Sequence, residues 1–219
     1  MTKRRKWTVI PGFLALAAAA TVLSAYSGAS SSQGREPEQP IAFPHPTHVK
    51  TLGMNCLYCH YSANKSPDPG MPAVGTCVGC HSVIGPDRPA SDLGPKRRSA
   101  EIEKLWKYAD IKGVMMPAGA AARPIPWVRI HKVPDYVQFP HMRHVTAGVT
   151  CQSCHGQIQN MARVYQANSL NMGWCVNCHV NGYSPAEGAR LAQAPDSVIR
   201  AAASQPLKKA RYDCAVCHY

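Results

Sequence analysis

Large aromatic side chains are scarce in this chain, with 3 Phe and 4 Trp among 219 residues. A core built in the usual way on such side chains is therefore thin. Acidic residues are also few, 12 against 24 Lys and Arg, and the formal charge is +12. No stretch alternates apolar and polar residues regularly enough to define a sheet. The glycine-rich phosphate loop, the dinucleotide fingerprint and the nucleophile elbow are all missing, which removes the sequence signatures of common nucleotide and hydrolase chemistry. Nor is there a spare cysteine. All 10 fall inside one repeated pattern.

That pattern is Cys-x-x-Cys-His, and it occurs five times: Cys56–His60, Cys77–His81, Cys151–His155, Cys175–His179 and Cys214–His218. It is the attachment sequence for c-type haem. Cys56, Cys59, Cys77, Cys80, Cys151, Cys154, Cys175, Cys178, Cys214 and Cys217 are thus candidates for covalent bonds to porphyrin. His60, His81, His155, His179 and His218 are candidates for the iron. Disulfides do not account for a histidine after every second cysteine. Structural zinc pairs its Cys-x-x-Cys knuckles to close a four-ligand site, and five knuckles do not pair off. A thioredoxin-like motif is expected once, beside a βαβ pattern that does not surround these.

Five covalently bound haems change how the composition is understood. With 19 Pro and 16 Gly the chain is rich in turns, and flat apolar porphyrins can stand in for a side-chain core. The expected fold is mainly α and irregular, a loop-rich multihaem cytochrome c with haems as its core and one N-terminal transmembrane helix. About ten propionate charges would offset most of the basic excess, so the charge does not point to nucleic acid.

The N-terminus supplies the helix. Lys3-Arg4-Arg5-Lys6 precedes about twenty mostly apolar residues between Trp7 and Tyr26, with no further charge until Arg35. Twenty helical residues cover roughly 30 Å, the thickness of a bilayer core, and interfacial aromatics stand at both ends. The alternative is a cleaved signal peptide ending near Ser27-Gly28-Ala29. The basic residues predict a cytoplasmic N-terminus at a bacterial cytoplasmic membrane and a haem body on the periplasmic side. The expected organisation is a basic end at 1–6, an anchor at 7–27, a polar tether at 28–40, a dihaem module at 41–98, a helix and connecting loop at 99–130, and a trihaem module at 131–219.

An internal repeat underlies the two modules. Phe43-Pro44-His45-Pro46-Thr47-His48 recurs as Phe139-Pro140-His141-Met142-Arg143-His144, and an attachment motif follows each copy. Ser99 to Ile111 has the pattern of a helix capped by Ser99. Ser184-Pro185-Ala186-Glu187 is a capping box with proline at the first helical position, predicting a helix to about Ala194. A short helix is expected from Asp196.

Ten histidines divide into five in motifs and five outside them: His45, His48, His131, His141 and His144. Supply matches the demand for a second axial ligand on five irons. The rival ligands are Met71, Met115, Met116 and Met172, whose contexts include Gly70-Met71-Pro72 and Met115-Met116-Pro117. Phe-x-His-x-x-His ahead of an attachment motif resembles the small class III multihaem cytochromes. That resemblance implies bis-histidine haems, with His45 serving the first iron, His48 the second, His141 the third, His144 the fourth and His131 a remaining one.

Irons closed by two protein ligands leave no place for substrate, so the expectation is an electron relay with no catalytic residue of its own. The layout further resembles the family of pentahaem cytochrome c subunits of bacterial alternative complex III. The likeness includes the stretch Trp127 to His141 and Asn171-Met172-Gly173-Trp174 before the fourth motif. It implies a membrane-bound, quinol-oxidising respiratory-chain complex with an iron–sulfur subunit and a monohaem cytochrome as neighbours, and a soluble carrier or oxidase as acceptor. Two other readings stand beside it: a stand-alone membrane-anchored multihaem quinol dehydrogenase, and a multihaem reductase with one open haem.

Overall fold

The computed structural model describes residues 4–26, 32–88, 97–114 and 117–218. Among them the chain is helical and loop-rich. A long helix α1 (Arg4–Tyr26) is followed by a short π-helical turn, Pro46–Thr51, and by α2 (Cys56–Cys59), α3 (Val74–His81) and α4 (Ala100–Ala109). The second half holds α5 (His141–Thr146), α6 (Cys151–His155), α7 (Met172–Asn181), α8 (Pro185–Leu191), α9 (Asp196–Ala203) and α10 (Cys214–Cys217). The only ladder among the described residues pairs β1 (Asp87–Arg88) with β2 (Arg97–Arg98).

The helix caps follow local chemistry. Ser99 accepts from the Ile102 amide at 3.3 Å and starts α4, which stops where Asp110 turns left-handed at φ 52°. Ser184 accepts from the Glu187 amide at 3.2 Å, with Pro185 at the first helical position. α8 ends at Leu191, three residues before the predicted limit, and Gln193 takes φ 55° there. Left-handed backbone cannot continue a right-handed helix.

The stretch expected to span a membrane, 7–27, is helical over residues 7–26. Among the described residues no helix is long and apolar enough to cross a membrane. α1 begins on Arg4, Arg5 and Lys6, contains Pro11, and has alanine, the smallest apolar side chain, through much of its middle. Residues 33–39 do not run free: Gln33 donates to the Ala167 carbonyl, the Gly34 amide to that of Gln166, and Gln39 makes two bonds with the Val128 backbone.

Protein-only core is sparse. One cluster joins Ile41, Val74, Val78, Leu105, Ala109, Ile111 and Ile125, packing α4 on α3. A second is mostly alanine: Ala186, Ala189 and Ala202, where α8 meets α9. Gly188 is obligatory in that contact, because an added Cβ would collide with the Tyr183 hydroxyl. That hydroxyl accepts from the Thr150 amide at the start of α6. Leu105, 5 % exposed at the centre of the first cluster, is the side chain on which α4 depends. Leu105→Ala is expected to cost about 3 kcal/mol. Thermal unfolding of the haem-loaded protein would show a Tm lower by roughly 6–12 °C, and an unchanged Tm would remove α4 from the stabilising core.

Candidate haem sites

The two cysteines of each attachment motif lie on one helix, α2, α3, α6, α7 or α10, and in the first and fifth motifs the histidine falls just past its end. Helical spacing brings residues three and four apart to one face. The two thiols of each motif therefore share a face, while His60 and His218 leave the helix with non-helical backbone. Asn55 and Asn171 begin two of these turns by accepting from the Leu57 and Trp174 amides, at 2.9 and 2.8 Å. No disulfide joins any of the ten cysteines, and only Cys80 and Cys214 are exposed.

The histidines are oriented by main chain. The Nδ1 atoms of His60, His81 and His179 lie 3.0, 3.1 and 2.5 Å from the carbonyl oxygens of Gly70, Ile84 and Arg211. Those of His48, His141 and His144 lie 3.0, 2.9 and 3.1 Å from the carbonyls of Pro44, Pro67 and Pro140. A carbonyl only accepts, so Nδ1 must carry the proton and Nε2 keeps its lone pair. That is the tautomer an axial iron ligand requires, with its outer nitrogen already tied down. Buried, unpartnered ring nitrogens complete the picture at His45 Nδ1, His155 Nδ1 and His131 Nε2. Burial holds His45 and His131 down to about 4, and His155 to about 3, with neighbouring histidines adding to the effect. These rings are neutral near pH 7, as ligands must be.

Two pairs of imidazoles face each other across one gap. His48 and His81 stand with ring centroids 6.1 Å apart, and so do His144 and His179. Two imidazole–metal bonds of about 2.0–2.1 Å, plus a ring radius at each end, add up to roughly that separation. The residues fit the group: Cys77, Cys80, His48 and His81 would hold one haem, and Cys175, Cys178, His144 and His179 another. Supporting rings repeat as well. Phe43 stacks on His48 at 4.2 Å and meets His45 edge-on at 5.0 Å, while Phe139 stacks on His144 at 4.4 Å and meets His141 edge-on at 4.8 Å.

The remaining spare histidines are distributed unevenly. His45 lies within electrostatic reach of His60. His131 and His141 both lie by His155, the former with ring centroids 4.2 Å away. The ring beside His218 is Tyr136, stacked at 5.7 Å. Met71 and Met172 are 56 % and 66 % exposed, and Met115 and Met116 lie outside the described residues. Side-chain chemistry gave no hint of the orienting carbonyls. The exception is Gly70, in Pro69-Gly70: at φ 70°, with Ser62 Oγ 2.5 Å from any added Cβ, it must be glycine to present its carbonyl to His60.

These features agree with what comparison with known proteins finds. Residues 143–219 match the family model described as cytochrome c3. This region is a cytochrome c3-type multihaem domain. Such a domain implies covalently bound c-type haem, and the attachment motifs at Cys151, Cys175 and Cys214 lie inside the match. The chain is also 28 % identical over 165 residues to the "Menaquinone reductase, multiheme cytochrome c subunit" of Nitratidesulfovibrio vulgaris (strain Hildenborough), covering 66 % of this chain and 69 % of that protein. It is a multihaem cytochrome c related to that subunit.

Proposed function

We propose that the chain binds five c-type haems and relays electrons within a membrane-associated, quinone-linked oxidoreductase complex. The observation that carries this reading is the pair of 6.1 Å gaps, His48–His81 and His144–His179. Both faces of an iron held there are filled by protein, which suits outer-sphere electron transfer and leaves no position for substrate. The haem supplies a reversible one-electron carrier; the protein supplies covalent attachment, oriented imidazoles and dry surroundings.

The quinone link rests on the related menaquinone reductase subunit. Likeness to the pentahaem subunit of alternative complex III extends it: quinol oxidised by neighbouring subunits, an iron–sulfur subunit upstream, and a monohaem cytochrome, soluble carrier or oxidase downstream. In this reading the haem body sits on the extracytoplasmic side of a bacterial cytoplasmic membrane. Purification from membranes should bring such subunits with it, and added quinol should reduce the haems only in their presence. Reduction of the isolated chain by quinol would favour a stand-alone quinol dehydrogenase instead. The reductase reading has one observation behind it, Tyr136 rather than a histidine against His218. Carbon monoxide binding to the reduced wild type would support it.

A further inference from the structure

The five attachment motifs are not neighbours in the order in which the chain presents them. The first and second motifs are joined through Phe43, whose ring contacts both His45, beside His60 of the first, and His48, which faces His81 of the second at 6.1 Å; Cys59 lies near Cys77 and Cys80 as well. Cys56 of the first lies close enough to Cys151 of the third for each thiol to act on the other. The third and fourth are joined through Phe139, whose ring contacts both His141, beside His155, and His144, which faces His179 of the fourth at 6.1 Å. Cys175 of the fourth lies beside Cys217 of the fifth.

Independent backbone contacts trace the same line. The His141 and Met142 amides donate to the carbonyls of Pro67 and Ser66, fastening the histidine segment ahead of the third motif to the loop after the first. His179 of the fourth motif is bonded through Nδ1 to the Arg211 carbonyl, and its own carbonyl accepts from the Ala210 amide just before the fifth. Exposure marks the ends: of ten motif cysteines only Cys80, in the second motif, and Cys214, in the fifth, are exposed. At one end Trp106 closes over the second motif by donating to the His81 carbonyl at 2.8 Å, while Val83 and Ile84 stand exposed beside it. At the other, Lys209, Arg211 and Tyr212 are exposed.

We infer that the motifs form one row in the order second, first, third, fourth, fifth, so that electrons reach and leave the protein at the second and fifth motifs, while the first is interior. The inference rests on the five-haem reading, which is checked beforehand by the mass of the purified chain: fewer than five bound haems fails that reading and leaves the row aside.

The test injects an electron at one end. Val83→Cys, labelled with a ruthenium photoreductant, places the donor two residues from His81 in the haem-loaded full chain. In that background, transient absorbance should show the flash-injected electron spreading to the other haems. Adding Cys56→Ala and Cys59→Ala removes the first haem, and spreading is then expected to be lost, because the second haem is cut off from the third. If the haems instead followed sequence order, the second would still adjoin the third and spreading would persist; that result would overturn the inference. Should the triple variant not fold, redox titration of the wild type followed by paramagnetic NMR serves as the second test. Oxidation of the first haem should then shift both the second and the third, and a larger direct effect between the second and third would overturn the row.

Discussion

Expressed without haem attachment, the chain is expected to show no cooperative thermal transition and no native near-UV dichroism. The buried apolar side chains among the described residues number thirteen, and five of them are alanine: Ala63, Ala109, Ala186, Ala189 and Ala202. Ordering the backbone costs about 1–2 kcal/mol per residue, and burial returns about 25 cal/mol per Å² of apolar surface. Thirteen such side chains, five of them a single methyl group each, return little against that cost. Five porphyrins in contact with these helices would supply the missing apolar area. A haem-free chain with a sharp melt and structured aromatic dichroism would refute this account and move the core back to side chains.

The second large effect concerns the facing imidazoles. His48→Ala and His144→Ala are each expected to turn one low-spin iron high-spin and to add one carbon monoxide per reduced chain relative to wild type. The reasoning is geometric. Each substitution empties one side of a 6.1 Å gap whose far side is still held, by His81 or His179 with Nδ1 anchored to a backbone carbonyl. Histidine ligation is also what keeps such irons at low potential relative to methionine ligation, so the altered haem should titrate separately from the rest. Free imidazole should restore the low-spin spectrum, because the Phe43 or Phe139 ring that stacked on the lost side chain still walls the cavity. Variants that remain fully low-spin without added ligand would show that His48 and His144 are not axial.

How far the sequence alone reaches differs from one feature to another. The attachment motifs are legible because covalent chemistry demands fixed residue types at fixed spacing. The Phe-x-His-x-x-His repeat is legible for a similar reason, and it appears as two nearly superimposable ring arrangements around Phe43 and Phe139. Capped helices at Ser99 and Ser184 were visible because a side-chain oxygen there satisfies an orphan amide. What was hidden depends on long-range placement. Carbonyls from Gly70, Pro67 and Arg211 orient histidines 10, 74 and 32 residues distant, and no residue type advertises that. The grouping of His131 with His141 beside His155, and of Tyr136 with His218, arises from the same tertiary docking. At the N-terminus the apolar run was legible as a helix, and among the described residues no helix is long and apolar enough to cross a membrane.

The loop from Ser66 to Gly70 has a bearing on how the protein is made. Its Gly70 carbonyl steadies His60, while its Pro67 carbonyl receives both the ring and the main chain of His141. The leading half of a nascent polypeptide thus cannot finish its own architecture before the trailing half arrives. The surroundings of the first attachment motif are therefore complete only when the segment carrying His141 docks against this loop.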